Sequence, residues 1–209
     1  MNERIITTPD CIAEGTAHLA RICPRMAHAV SVVGEVPLRG RGDGFEALLA
    51  AIVGQQVSVA AADAIRARLR AAGLTDPRAI IASDDESLRA AGLSRQKVRY
   101  LRALAEADLD YAALREAPTE TVITTLTAIP GIGTWTAEIY AMFSLGRADV
   151  FAPGDLALQE AARLLYDLPE RPKPRALRTM AEDWAPWRAV AARVLWAYYR
   201  VAKDREGIL

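Results

Sequence analysis

A chain of 209 residues, 52% apolar and 25% charged, has the composition of one globular domain or of two small lobes. Acidic and basic residues balance at 26 each, which on its own argues against nucleic acid as a partner, because most nucleic-acid-binding domains carry a basic excess, although the balance can still be local. No uncharged apolar run reaches the ~18 residues of a membrane span, no leader is read at Met1-Asn2-Glu3-Arg4, and Cys11 and Cys23 are too few for a disulfide framework or a four-cysteine cluster.

Pro9-Asp10 opens a predicted helix with Ile12, Leu19 and Ile22 inward. Pro24 interrupts it, and Met26, Ala29, Val30 and Val33 line a second helix ending at Gly34. Pro37 to Gly44, with one proline, three glycines and two arginines, reads as a connector. Phe45, Leu48, Leu49, Ile52 and Val53 form a helical stripe that breaks at Gly54-Gln55-Gln56-Val57-Ser58. Ser58 caps a long helix carrying Ile65 and Leu69 toward Gly73. Ser83-Asp84-Asp85-Glu86 has the form of a capping box, for a short helix ending at Gly92. From Arg95 to Ala107, Val98, Leu101, Leu104 and Ala105 share one face. Thr119 is placed to cap a helix from Glu120 to Leu126. After Pro130-Gly131-Ile132-Gly133 a further helix carries Trp135, Ile139, Met142 and Phe143 toward Gly146. Asp155 stands as an N-cap for a helix from Leu156 to Tyr166. A linker with Pro169, Pro172 and Pro174 leads to a helix near Ala176 to Asp183, and Pro186 serves as the first-turn residue of a final helix with Val190, Val194, Leu195 and Tyr198. Nothing shows strand periodicity, so the expectation is an all-α chain of about ten helices.

Two basic knots interrupt the charge balance. Arg163, Arg171, Lys173, Arg175 and Arg178 outnumber Asp167 and Glu170 in one segment, and Arg95-Gln96-Lys97-Val98-Arg99 is followed one turn on by Arg102. On charge alone both read as solvated helix faces.

The segment Leu126–Ala137 runs helix, Pro-Gly-Ile-Gly, helix. Gly131 and Gly133 permit backbone angles that other residues resist, and they stand where the next helix presents its first amides, a place suited to an anion such as a phosphate. The same residues also describe an ordinary helix–helix turn. Asp155, just past the Pro153-Gly154 corner, is a lone carboxylate that either does chemistry or only caps its helix. Trp135 and Trp196 fall on apolar stripes, where tryptophan serves a core as readily as a site.

Leu126–Ala137 resembles the helix-hairpin-helix of the base-excision DNA glycosylases, and Ala152-Pro153-Gly154-Asp155 resembles their Gly/Pro-rich segment with its aspartate. The branch it resembles is 3-methyladenine DNA glycosylase II, through Pro-Gly-Ile-Gly-x-Trp-Thr-Ala at Pro130–Ala137, Ala51-Ile52-Val53-Gly54-Gln55-Gln56-Val57-Ser58, Leu93–Leu104, Trp184-Ala-Pro-Trp-Arg188 and Leu195-Trp196. These matches run in order from about Phe45 to Tyr199.

The resemblance implies the HhH-GPD DNA glycosylase fold, two helical lobes with a cleft between them. One lobe spans about residues 45–145, and residues 1–44 with 146–209 form the other. It implies a monofunctional enzyme that flips alkylated bases of the 3-methyladenine and 7-methylguanine type out of duplex DNA. Asp155 is the catalytic residue it implies, since cleaving an N-glycosidic bond builds positive charge on the sugar that a fixed carboxylate stabilises. Trp135 and Trp196 match base-pocket tryptophans, whose faces favour cationic rings. Where members of this branch carry a tyrosine one turn past the first tryptophan, this chain has Ile139, with Tyr140 the adjacent pocket candidate. Gln55 and Gln56 match the residues that enter the gap left by a flipped base, and Gly131, Ile132, Gly133, Thr134 and Thr136 match the DNA-gripping hairpin.

A structural monovalent cation, sodium or potassium, is implied on the backbone carbonyls of Thr127, Ile129 and Ile132; no other cofactor is implied. Strand-cutting members carry a nucleophilic lysine where this chain has Trp135, so no Schiff base is expected. No iron–sulfur cluster is expected either, because nothing after Cys23 supplies its cysteines, and too little chain precedes Phe45 for the β-rich lobe of longer relatives. The expected partner is alkylated double-stranded DNA, met as a cytoplasmic, nucleoid-associated monomer and not at a membrane. A bifunctional glycosylase/lyase and a non-catalytic helix-hairpin-helix DNA-binding module are the alternatives.

Overall fold

A computed structural model describes residues 3–40 and 42–205; Met1, Asn2, Arg41 of the connector and residues 206–209 lie outside the described residues. The described residues form thirteen helices, with one isolated bridge between Ile5 and Arg147. They are α1 (Pro9–Ile22), α2 (Pro24–Val33), α3 (Phe45–Gly54), α4 (Val59–Ala71), α5 (Pro77–Ala82), α6 (Asp85–Ala90), α7 (Arg95–Glu106), α8 (Tyr111–Glu116), α9 (Thr119–Thr127), α10 (Thr134–Phe143), α11 (Leu156–Tyr166), α12 (Pro174–Glu182) and α13 (Arg188–Arg205).

The chain divides into two compact units, Met1–Gly40 with Ala141–Leu209, and Arg41–Tyr140. In the first, α13 packs on α1, α2 and α11. Leu19, Met26, Leu158, Leu177, Val190 and Val194 are fully buried there, and Trp184 nearly so. Gly15 lets α1 approach α13 closely, because a Cβ there would lie 2.7 Å from Val190 and 2.9 Å from Trp187. In the second unit, α3, α5 and α6 pack on α7, which buries Val98, Leu101, Leu104 and Ala105 on one face. That is the period-3.6 stripe expected of it.

The helix count exceeds the expectation because α5 and α8 have six residues each and bury one large apolar side chain apiece, Ile80 and Leu114. Such helices are too short to show a period. Three boundaries also differ. Asp84 rather than Ser83 caps α6, its Oδ1 accepting from Ser87 N at 2.7 Å, while Ser83 closes α5 by donating to the Ile80 carbonyl. Thr119 lies inside α9, after Pro118 at the N-cap. Pro186 precedes the final helix instead of opening it; α13 starts at Arg188, after the Ala185–Pro186 cis peptide.

The basic knot on α7 is only partly solvated. Lys97 Nζ donates to the Val53 carbonyl at 2.7 Å, and burial pulls its pKa below the ordinary lysine range. Arg102 donates to Asp85 and to the carbonyls of Ile80 and Ser83. Both side chains close the C-terminal ends of neighbouring helices, which favour a positive charge.

Candidate active site and nucleic-acid interface

The hairpin lies in the second unit. α9 ends at Thr127, and Ile132 N donates to the Ile129 carbonyl at 3.0 Å to close the turn. Gly131 takes φ +93°, and a Cβ on it would stand 2.3 Å from Tyr100 Cγ. The position therefore requires glycine twice, for the backbone angle and for the ring beneath it. Gly133 and Thr134 are exposed at the start of α10, and the first ladder bond there runs from Ala137 N to the Gly133 carbonyl at 3.1 Å. Amides ahead of that bond point off the helix end, with the positive end of the helix dipole behind them. Thr136 is buried, and Ile132 packs inward beneath the turn.

Gln55, where α3 breaks, is joined to this hairpin. Its Nε2 donates to the Gly131 carbonyl at 2.8 Å. Gln56 beside it is exposed and takes φ +56°. The two glutamines differ in kind: one amide is tied to the hairpin backbone, and the other side chain projects from a bent loop. Gln55, Gln56, Gln96, Lys97, Tyr100 and the turn backbone line a groove of about 490 Å³. The carbonyls of Thr127, Ile129 and Ile132 belong to residues of that groove, and the Thr127 hydroxyl donates back to the Ile123 carbonyl at 2.8 Å.

Trp135 stands on the first turn of α10 and is 45% exposed, unusual for a ring of its size. Ile139, one turn on, is buried. Tyr140 is also buried, and its hydroxyl accepts the Gly44 N–H at 3.0 Å. Burial pushes the Tyr140 phenol up from its usual pKa.

Asp155 lies in the first unit, at the N-cap of α11. Asp155 N donates to the Ala152 carbonyl at 3.1 Å, so Pro153 and Gly154 occupy a tight turn. The carboxylate Oδ1 accepts from Ala157 N at 2.9 Å and Leu158 N at 3.0 Å, as an N-cap does. It also accepts from Trp196 Nε1 at 3.1 Å. Three N–H donors on one oxygen fix the direction of the carboxyl group. The capping role and the chemical role are thus compatible, because the cap is what aims the acid.

Trp196 is half-buried, and its ring lies 5.7 Å from Phe143, tilted by 32°. The structure brings Trp196 to Asp155 across 41 positions of sequence. Below them, Gln159 Nε2 donates to the Pro153 carbonyl at 2.8 Å in a buried bond that pins the turn carrying Asp155. Gln159 is a supporting residue that the sequence alone does not single out. Its signal was a glutamine one turn after Asp155, among the leucines and alanines of a buried face. Among the described residues, no cluster of three or more His, Cys, Asp or Glu side chains could hold a metal ion.

Residues 49–186 match the family model described as the HhH-GPD superfamily base excision DNA repair protein. The chain is 32% identical over 212 residues to DNA-3-methyladenine glycosylase 1 of Schizosaccharomyces pombe, covering 96% of this chain and 92% of that protein. It superposes on the crystal structure of a DNA-3-methyladenine glycosidase from Bacillus halodurans with a TM-score of 0.81 at 36% identity, covering 99% of this chain and 95% of the other. The Schizosaccharomyces pombe 3-methyladenine DNA glycosylase in complex with abasic DNA gives a TM-score of 0.75 at 32% identity, covering 88% and 95%.

Proposed function

The chain belongs to the HhH-GPD superfamily of base excision DNA repair proteins, and from that premise we propose that it is a monofunctional DNA glycosylase that hydrolyses the N-glycosidic bond of alkylated bases. The observation that carries the reading is Asp155, a carboxylate aimed by its helix cap and by Trp196. Relatives of similar length named as 3-methyladenine glycosylases support the substrate class.

The chemistry asks little of the protein beyond placement. A base alkylated to a cation is already a good leaving group, so bond breaking needs stabilisation of positive charge on the sugar more than a general acid. Asp155 supplies that negative charge, and attack by water completes the hydrolysis. Trp196, hydrogen-bonded to Asp155, offers a ring face to the extruded, electron-poor base. Gln56 enters the space that the base leaves, and the amides at Gly133 and Thr134 take a DNA phosphate without reading sequence. Trp135 stands where strand-cutting members resemble one another in carrying a lysine, so the reaction stops at the abasic site.

The hairpin carbonyls of Thr127, Ile129 and Ile132 are the donors for a monovalent cation. Carbonyl oxygens suit hard cations, and the Ile129 oxygen, which accepts Ile132 N–H, keeps a second lone pair for one. The cation would draw the turn together beside the phosphate. Equal affinity for duplex DNA in potassium chloride and in a bulky organic cation at the same ionic strength removes it from the account.

The functional reading is tested on alkylated duplex DNA. Wild-type protein is expected to release 3-methyladenine or 7-methylguanine as free base and to leave no covalent adduct after borohydride. An adduct with DNA carrying an oxidised base would make it a glycosylase/lyase. Binding to abasic DNA with no base released would make it a non-catalytic module.

A further inference from the structure

Arg193 on α13 is only 5% exposed, and among the described residues no carboxylate pairs with it. Its Nη1 donates to the Ala189 carbonyl at 2.8 Å, and Nη2 reaches the carbonyls of Met142 at 3.3 Å and Arg39 at 3.5 Å. Its Nε is buried with no partner. Desolvation, with Arg39 nearby, lowers its pKa to about 10, which still leaves it cationic at neutral pH. A guanidinium taken out of water without a counter-charge is costly, and nothing in the hydrolysis described above uses it.

An absent anionic ligand does not explain it. The cavity beside it, bounded by Val36, Arg39, Phe143, Trp196 and Arg200, measures about 10 Å³, the scale of one water molecule and too small for a phosphate. What the guanidinium does touch is aromatic. Its central carbon lies 4.5 Å from the Phe143 ring centroid, and Phe143 packs on Trp196, whose indole N–H donates to Asp155. The Met142 carbonyl it also reaches is in the last turn of α10, where a cation is favoured by the helix dipole. Arg193 is thus fixed at one end by carbonyls and presses a cation on the ring that backs the indole.

We propose that Arg193 is a positioning residue for base excision: it clamps Phe143, Phe143 sets the plane of Trp196, and Trp196 sets the direction of the Asp155 carboxylate. The proposal rests on the glycosylase reading and specifies what orients its acid. A merely structural arginine would lower stability and binding together. A positioning one lowers the chemical step.

The test is single-turnover excision from a duplex with one alkylated base, alongside affinity for undamaged duplex and thermal unfolding. Arg193→Met is expected to slow excision about 10-fold, with affinity changed less than about 2-fold. Arg193→Lys, which keeps a cation on the ring, is expected to recover to within about 3-fold of wild type. In a Trp196→Phe background the Arg193→Met change is expected to cost less than about 2-fold more, because both act through one indole. Additive losses in that cycle, or an Arg193→Met protein as fast as wild type, overturn the proposal. If Arg193→Met does not fold, Phe143→Leu carries the test: it should slow excision by a similar factor and make Arg193→Lys silent, and an Arg193→Lys loss that persists overturns the proposal. A wild-type protein that releases no base defeats the glycosylase reading itself, and this proposal with it.

Discussion

A single oxygen of Asp155 serves two masters. Its position past Pro153-Gly154 reads from sequence as a helix cap or as a catalytic acid, and the geometry joins the two, since the cap amides and the Trp196 indole meet on Oδ1. The indole bond was not legible: no periodicity connects Asp155 to a residue 41 positions later, and only the family resemblance named both. Hydrogen bonds to charged groups contribute about 1.5–3 kcal/mol. Trp196→Phe, which keeps the ring and loses the donor, is therefore expected to slow excision by about 10-fold or more in single-turnover assays while affinity for undamaged duplex holds. Trp135 poses the opposite question. Exposed to 45%, it is not a core ring, so Trp135→Ala is expected to leave the protein folded, at a loss of about 1–3 kcal/mol for the part of the ring that is buried. It is expected to weaken excision more than binding to undamaged duplex; equal losses, or a large drop in thermal midpoint, would mark a structural ring.

At the scale of elements, the hairpin is more than a turn between α9 and α10. Gly131 carries a positive φ over the Tyr100 ring, and its carbonyl is gripped by Gln55. Gly131→Ala meets both obstacles, a strained backbone angle costing about 1–3 kcal/mol and a ring within 2.3 Å. It is expected to weaken duplex affinity measurably, and Gly131→Ala with Tyr100→Ala is expected to recover part of that loss. No recovery would mean that the backbone angle, not the ring, dominates. The glycines and their spacing were legible because only glycine suits them. Tyr100 and Gln55 were not legible as their supports, because both come from elements distant in sequence. The same limit explains the short helices α5 and α8. Six residues with one buried anchor carry too little periodicity to read, whereas α7, with four inward positions, was plain.

For the molecule as a whole, zero net charge is the feature that sits least easily with DNA as a partner. The structure shows where some of the positive charge is spent. Arg102, Lys97 and Arg193 close helix ends and grip carbonyls, so part of the positive charge is held by the fold itself. Binding that leans on helix-terminal amides rather than on a basic surface should show few released counterions. The slope of log affinity against log salt is therefore expected to be shallow, on the order of −2 to −4 where a lysine-rich binder of comparable footprint shows −6 or steeper. A steep slope would place more basic side chains on the phosphates than this account allows. The all-α class was legible from end to end, because apolar spacing, caps and breakers agree along the chain. The joining of Asp155, Trp196, Phe143 and Arg193 was not, since tertiary contact alone creates it.

In the proposed reaction one carboxylate, aimed by its helix cap and an indole, performs the hydrolysis. Asp155→Asn tests it most directly, because asparagine caps a helix about as well as aspartate and can still accept the indole N–H, so the fold and the aim survive while the charge is lost. Release of 3-methyladenine from alkylated DNA should fall by about 100-fold or more while affinity for abasic DNA is retained. An Asp155→Asn protein that releases base as fast as wild type would mean that the Asp155 charge takes no part in the hydrolysis.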